Sequence, residues 1–404
     1  RSTHCISSAA SDVYKRQVRN ILIASQMFYP DIASTAKVMT DLALDIAIAG
    51  YSVNVVCQNR SYNNPDIVFP SQEKIGNVVI NRFSVPRADK NTILGRIRLS
   101  FIVERKAKMA IKKIKPDLCI AVSNPPNMAF RIAKESRKLR VPFVYILHDL
   151  YPDVLIKTGK IAKNSIIAKK LRKISSETFQ LSDRIVVLGR DVRDYLIKNY
   201  GVLPGKINII TNWGPEEPVI SKSNNDNFRR KNGLEGKFVV LYSGNIGETA
   251  DFEVLLDATQ NFQEDDNIVF LIVGNGRKRD KVLEKSKKLK NVKLLDFLPE
   301  EDYRNLLSEA DVFFVSLRKE LYGISVPSKT YYYLSAGKPI IGLVPPNSEI
   351  ALSIKEDDYG FVCSDYSPKN LASIILQLKK IQIYGKERAL RPRKYLIRNT
   401  IEKL

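Results

Sequence analysis

Val326-Pro-Ser-Lys-Thr-Tyr-Tyr-Tyr-Leu-Ser-Ala-Gly-Lys-Pro-Ile-Ile341 holds a helix entry, one short helix, a glycine stop and the start of a buried strand. Pro327 suits a first helical turn because it lacks an N–H that would be orphaned there. Gly337 suits the helix C-terminus, where a left-handed residue closes the last turn. Pro339-Ile-Ile then opens an apolar run of strand type. Ser328 and Lys329 therefore fall at a helix N-terminus, where unpaired amides and the helix dipole attract anions. A lysine added to such an end predicts a phosphate site.

The same strand-then-helix unit recurs on both sides of this stretch. Apolar strand runs are predicted at 238–242, 268–273, 292–295, 312–315, 340–344 and 360–363, and earlier at 20–25, 51–57, 78–83, 118–122, 143–147 and 184–188. Helices at 36–49 and 97–114 separate some of the earlier ones, the second with Val103, Ala107, Ala110, Ile111 and Ile114 on one face. Strands alternating with helices imply parallel sheets covered on both faces. Between the halves, 215–237 is rich in Asn, Ser and Lys, which is linker composition. The prediction is an α/β chain of two doubly wound, Rossmann-like domains facing across a cleft, 18–213 and 214–385. A last helix is expected over 386–404. Residues 1–17 have no apolar periodicity and read as a non-native extension, so they are left out of the fold.

Composition narrows the function. The chain has 404 residues, 44% of them hydrophobic, enough for two cored domains. No run of about 18 apolar residues exists, so no membrane-spanning helix is expected. Cys57, Cys119 and Cys363 lie in apolar runs, and Cys5 in the excluded tail. They form no disulfide framework or metal knuckle, which points to a reducing cytoplasm. The net charge of +22 implies an anionic partner. Arg96, Arg98, Arg105, Lys106, Lys108, Lys112, Lys113 and Lys115 make one cluster, and Lys157, Lys160, Lys163, Lys169, Lys170, Arg172 and Lys173 another. One cluster rides on the amphipathic helix 97–114, which favours an anionic membrane surface over nucleic acid.

Several loops carry candidate chemistry. Tyr242-Ser-Gly-Asn-Ile-Gly247 and Val273-Gly-Asn-Gly-Arg277 each follow a strand. Their glycines let backbone amides approach a phosphate, which marks Ser243, Gly244, Asn245, Gly274 and Gly276. His148-Asp149 ends a strand at the sheet edge where α/β proteins bind ligands. No Gly-x-Ser-x-Gly elbow exists, which argues against a serine hydrolase. No Gly-x-Gly-x-x-Gly follows the first strand, which argues against a dinucleotide dehydrogenase.

The order of Gly244-Asn245, Gly274-x-Gly276, Phe297-Leu-Pro299, Ala310-Asp311 and Pro327-Ser-Lys329 resembles the donor half of family 4 glycosyltransferases. Phe28-Tyr-Pro-Asp31 resembles that family's opening loop, which continues into Ala33, Ser34 and Thr35. The stretch from Val141 to Asp153 resembles its acceptor-side motif, and Ile207–Trp213 its entry to the second domain. The likeness is to the bacterial surface-polysaccharide branch, the fucosaminyltransferase-like O-antigen and capsule enzymes. It implies the GT-B fold and transfer, with retention, from a nucleotide diphosphate sugar, a UDP-sugar, to a polyprenyl-linked saccharide. The resemblance alone implies that the last helix packs back on the first domain. The setting it implies is cytoplasmic, peripheral on the inner membrane. No metal and no cofactor are expected, because no Asp-x-Asp site is present. His148 and Asp149 become the catalytic candidates; Ser243, Gly244, Asn245, Gly274, Gly276, Arg318, Ser328, Lys329 and Tyr332 become the donor contacts. The sequence departs from the family pattern where two glutamates stand eight positions apart: here Ile324 and Tyr332 occupy them. Two other classes stay open: a GT-B sugar-nucleotide epimerase, and a non-catalytic polysaccharide-assembly partner.

Overall fold

The structure is a computed structural model that describes residues 19–31, 33–61, 64, 66–87, 93–215 and 226–384. The expected non-native extension and the last helix lie outside the described residues. The chain divides into two compact units. The first comprises the chain up to Pro152 with Ile161–Val187 and Tyr200–Asn208; the second comprises Asp153–Lys160, Leu188–Asn199 and the chain from Ile209 onward.

The first unit runs β1 (Asn20–Ala24), α1 (Ser34–Ile48), β2 (Ser52–Gln58), β3 (Gln72–Ile75), β4 (Val78–Phe83), α2 (Ile93–Ile114), β5 (Leu118–Val122), α3 (Pro126–Leu139) and β6 (Phe143–Leu147). After α4 (Asp153–Lys157), which belongs to the second unit, come α5 (Ile166–Leu181) and β7 (Arg184–Val187). Then α6 (Arg190–Tyr200), mostly in the second unit, leads to β8 (Ile207–Ile209). The sheet order is β3-β4-β2-β1-β5-β6-β7-β8. Pairings from β4 across to β7 are parallel, while β3 runs antiparallel to β4 at the edge. The polar segment Gln72-Glu-Lys-Ile75 is half exposed, so it carries no apolar strand signal, and it was not anticipated. The inner strands are buried on both faces, as continuous apolar runs such as Phe143–Leu147 require. Helices α2, α3 and α5 lie side by side, α3 touching both neighbours.

The second unit holds α7 (Asp226–Asn232), β9 (Phe238–Ser243), α8 (Phe252–Thr259), β10 (Ile268–Val273), α9 (Arg279–Ser286), β11 (Val292–Leu295) and α10 (Glu300–Ser308). They are followed by β12 (Val312–Ser316), α11 (Lys329–Ser335), β13 (Ile340–Leu343), α12 (Glu349–Asp357), β14 (Gly360–Val362) and α13 (Pro368–Tyr384). The sheet order is β11-β10-β9-β12-β13-β14, and its pairings are parallel. Its core joins Tyr242, Phe252, Phe270 and Phe314 to Leu371 and Ile375 of α13. α7 falls inside the stretch read as linker. Arg229 anchors it, donating to the Glu309 carboxylate at 2.7 Å and to the carbonyls of Leu234, Lys237 and Glu309. A single long-range guanidinium contact of this kind leaves no periodic trace in sequence.

Each sheet changes direction of winding once, at β1/β5 in the first unit and at β9/β12 in the second. Open α/β sheets bind ligands beyond the carboxyl ends of the strands at such points. The opening loop follows β1 and the first glycine loop follows β9, while His148-Asp149 follows β6, one strand along from β5.

Candidate functional site

In the second unit, α11 and the loops after β9 and β10 converge. The helix begins at Lys329 with Ser328 as N-cap, so Pro327 stands one residue before the cap rather than in the first turn. Gly337 closes the helix at φ +65°. The Lys329 ammonium sits 3.4 Å from the centre of the Tyr242 ring. A Cβ on Gly244 would lie 3.2 Å from that nitrogen. Burial holds the Lys329 pKa well below the usual lysine value. A cation so placed has lost water, and the ring face returns only part of that energy.

The glycines are needed mainly where the two loops meet. Gly274 (φ +143°) presses on the Gly244 carbonyl, and Gly276 (φ +150°) on the Ile246 carbonyl and the Asn245 side chain. Any Cβ there would collide with backbone. Gly244 N–H donates to Val273 O at 2.9 Å, and Ile246 N–H to Asn275 O at 2.9 Å. Those two amides join the loops to one another, a use that the sequence reading did not assign them. Arg318 N–H donates to Thr249 O at 2.9 Å, tying the end of β12 to the same loop, while its guanidinium pairs with Glu320 at 3.2 Å. Ile324, at the first of the family's glutamate positions, is 1% exposed and part of the core. Tyr332 is half-buried. Its backbone carbonyl accepts from Ser335 Oγ.

In the first unit, the Ser123 hydroxyl accepts from the amides of His148 (3.1 Å) and Asp149 (3.2 Å). It thereby holds the His-Asp turn just past β6. Ser123 is fully buried after β5, at the winding change. Sequence reasoning missed it; the signal was a serine directly following the apolar run 118–122. His148 Nε2 is enclosed and makes no hydrogen bond, and burial lowers the imidazole pKa to about 4. The ring is neutral at ordinary pH. The opening loop lies two strands away at the end of β1. Ala33 caps α1 without a side-chain acceptor, so Ser34 and Thr35 begin a helix whose first-turn amides receive no side-chain hydrogen bond from the cap residue. Arg82, also missed, fixes this loop: its buried guanidinium donates to Tyr29 O (2.6 Å), Pro70 O (3.1 Å) and Glu73 (2.7 Å). An arginine inside the strand pattern 78–83 was the available clue.

Thus Ser243, Gly244, Asn245, Gly274, Gly276 and Lys329 come together in one unit, with Arg318 tied to the same loop. His148 and Asp149 stand together in the other. Free Cys57, Cys119 and Cys363 are buried, with burial pushing the Cys57 and Cys119 thiols up to about 12.

Residues 35–213 match the model described as Glycosyltransferase Family 4, and residues 224–400 the model described as Glycosyl transferases group 1. A Pseudomonas aeruginosa protein named "Probable glycosyltransferase WbjE" is 28% identical over 326 residues, 79% of each chain. HepE of Anabaena, solved in complex with UDP, superposes with a TM-score of 0.65 at 15% identity, covering 94% of this chain and 93% of that one. WaaG, described as a glycosyltransferase involved in lipopolysaccharide biosynthesis, superposes with a TM-score of 0.67 at 17% identity, covering 93% and 95%. The protein is an enzyme of the GT-B glycosyltransferase class. Its two halves match, in order, the family 4 and group 1 glycosyltransferase models, which supports a family 4 enzyme.

Proposed function

We propose that this enzyme moves a sugar, with retention, from a UDP-sugar to a polyprenyl-linked saccharide during assembly of a bacterial surface polysaccharide. The observation that carries the donor half of this reading is the Lys329 ammonium. It stands over the Tyr242 ring beside Gly244, on a half-buried side chain at the carboxyl edge of a doubly wound sheet. A desolvated cation there is best compensated by the charge of a leaving diphosphate, with Ser328 and Arg318 alongside. Stabilising that leaving group is the main catalytic demand in this reading; no covalent nucleophile is assigned. Asp149 takes the proton of the acceptor hydroxyl, and neutral His148 orients the sugar.

The acceptor half rests on surface chemistry. On α2, Val103, Ala107 and Ile111 are buried, while Arg105, Lys112 and Lys113 are exposed together with Phe101 (62%) and Met109 (54%). On α5, Lys169, Lys170 and Lys173 are exposed beside Ile166 (84%). Both helices flank α3. Basic and apolar side chains mixed in one helical layer suit an anionic bilayer surface. No helix among the described residues is long and apolar enough to cross a membrane. The enzyme would therefore work as a peripheral protein at the inner face of the inner membrane.

Incubating the full chain with UDP- and GDP-sugars and a polyprenyl-diphosphate saccharide tests the reading. Transfer from a UDP-sugar is expected. A donor isomerised without acceptor would make the protein an epimerase. Neither reaction, with any donor, would leave an assembly partner without activity.

A further inference from the structure

The pairing of β9 with β12 stops early. Val240 and Leu241 face Val312 and Phe313, and the register ends there although β9 continues to Ser243. Asp311 N–H donates to Val239 O, so odd-numbered residues of β9 turn their backbone groups toward β12. Ser243 is the next such residue, and its amide and carbonyl would meet the β12 backbone if the ladder went on. Both instead meet one side chain. Ser243 N–H donates to the Tyr333 hydroxyl at 2.7 Å, and that hydroxyl donates to Ser243 O at 3.0 Å. Tyr333 is fully buried, its ring stacked on Phe313 at 4.2 Å between centres and 7° between planes.

The hydroxyl thus replaces the missing rung of the ladder. It sits one residue before Gly244, where the backbone leaves the sheet for the glycine loop. A second phenol holds the far side: Tyr242 Oη donates to Asn245 O at 2.7 Å. Tyr333 also stands four residues after Lys329, so the two share one face of α11. That face presents the ammonium to Gly244 and Tyr242 and the phenol to Ser243. A buried tyrosine needs only one partner to be satisfied, and a packing role would need none of this geometry. We infer that Tyr333 is a positioning residue for the donor diphosphate: its hydroxyl splices α11 to the end of β9 and fixes where the Lys329 ammonium stands against the glycine loop.

This rests on the donor reading above, and titration calorimetry with UDP can separate the two. The full chain is compared with Tyr333→Phe, Lys329→Ala and the double variant, each with its melting temperature. Tyr333→Phe keeps the ring and its stacking on Phe313, so it should fold. It should raise the UDP Kd by about tenfold, as for one lost hydrogen bond of consequence. On the Lys329→Ala background the same change should cost about twofold or less, because groups acting as one unit are not additive. An unchanged Kd in Tyr333→Phe, or equal losses on both backgrounds, would overturn the inference while leaving the donor site standing. Failure of the parent chain to bind UDP or GDP at all would overturn both.

Discussion

Replacing Lys329 by Met separates function from stability at one atom. Methionine has nearly the reach of lysine and keeps apolar contact with the Tyr242 ring, but removes the ammonium. In the structure that ammonium lies 3.4 Å from the ring centre, and its pKa is lowered by burial. A lysine whose folded pKa falls below its unfolded value binds its proton less well in the fold. The resulting cost is fully present below the folded pKa and disappears as pH rises above the unfolded pKa. Removing the charge therefore removes a penalty, and the melting temperature at pH 7 should hold or rise. Donor affinity should move the other way. Hydrogen bonds to charged groups contribute about 1.5–3 kcal/mol, so the UDP Kd should rise roughly 10- to 150-fold. Calorimetry and thermal unfolding of the same preparation read both. Unchanged affinity would refute the diphosphate role. Affinity and melting temperature falling together would reduce Lys329 to a structural residue.

Asp149→Asn should leave UDP affinity within about twofold while transfer falls about 10²-fold or more, as for lost proton transfer; transfer at the parental rate would move the base elsewhere. Asp191, 2% exposed at the start of α6, has a carboxyl pushed up to about 6 by burial and by Glu349. A raised folded pKa means stability that is present below about 4 and lost as pH rises to about 6. Asp191→Asn should flatten that decline and add up to about 3 kcal/mol at pH 7, read from denaturation midpoints at pH 4.5 and 7; a variant as pH-sensitive as the parent would refute this. Vesicles with anionic lipid should sediment the protein and release it at high salt, since surface charges are screened over about 8–10 Å. Reversing Lys108, Lys112 and Lys113 to glutamate should weaken that binding but not UDP binding; sedimentation with neutral vesicles, insensitive to salt, would contradict it.

Much of the fold was legible because parallel strands buried on both faces are continuous apolar runs. β4, β5, β6, β10 and β11 fall on the residues expected of them. β3 was not legible because an edge strand with one wet face, Gln72–Ile75, carries no such run. α7 was hidden because its anchor is Arg229, whose partners Glu309 and Asp311 lie far along the chain. The glycine loops were found by their residues, but what those glycines do was not. Their close approach to one another depends on the spacing of β9 and β10, which no single motif encodes. Ser123, Arg82 and Tyr333 share that limitation: each acts by a hydrogen bond to backbone 25 or more positions away. Lys329 could be placed at a helix start from Pro327 and Gly337 alone. Its place over the Tyr242 ring required the structure.

Transfer with retention from a UDP-sugar, as proposed, is decided by the anomeric configuration of the product. The full chain would be supplied with UDP-sugars and a polyprenyl-diphosphate saccharide, and the new linkage read by proton NMR from its anomeric coupling constant. A glycoside with the donor's own anomeric configuration is predicted. An inverted linkage would contradict the proposed mechanism, and the absence of any new glycoside would contradict the proposed reaction.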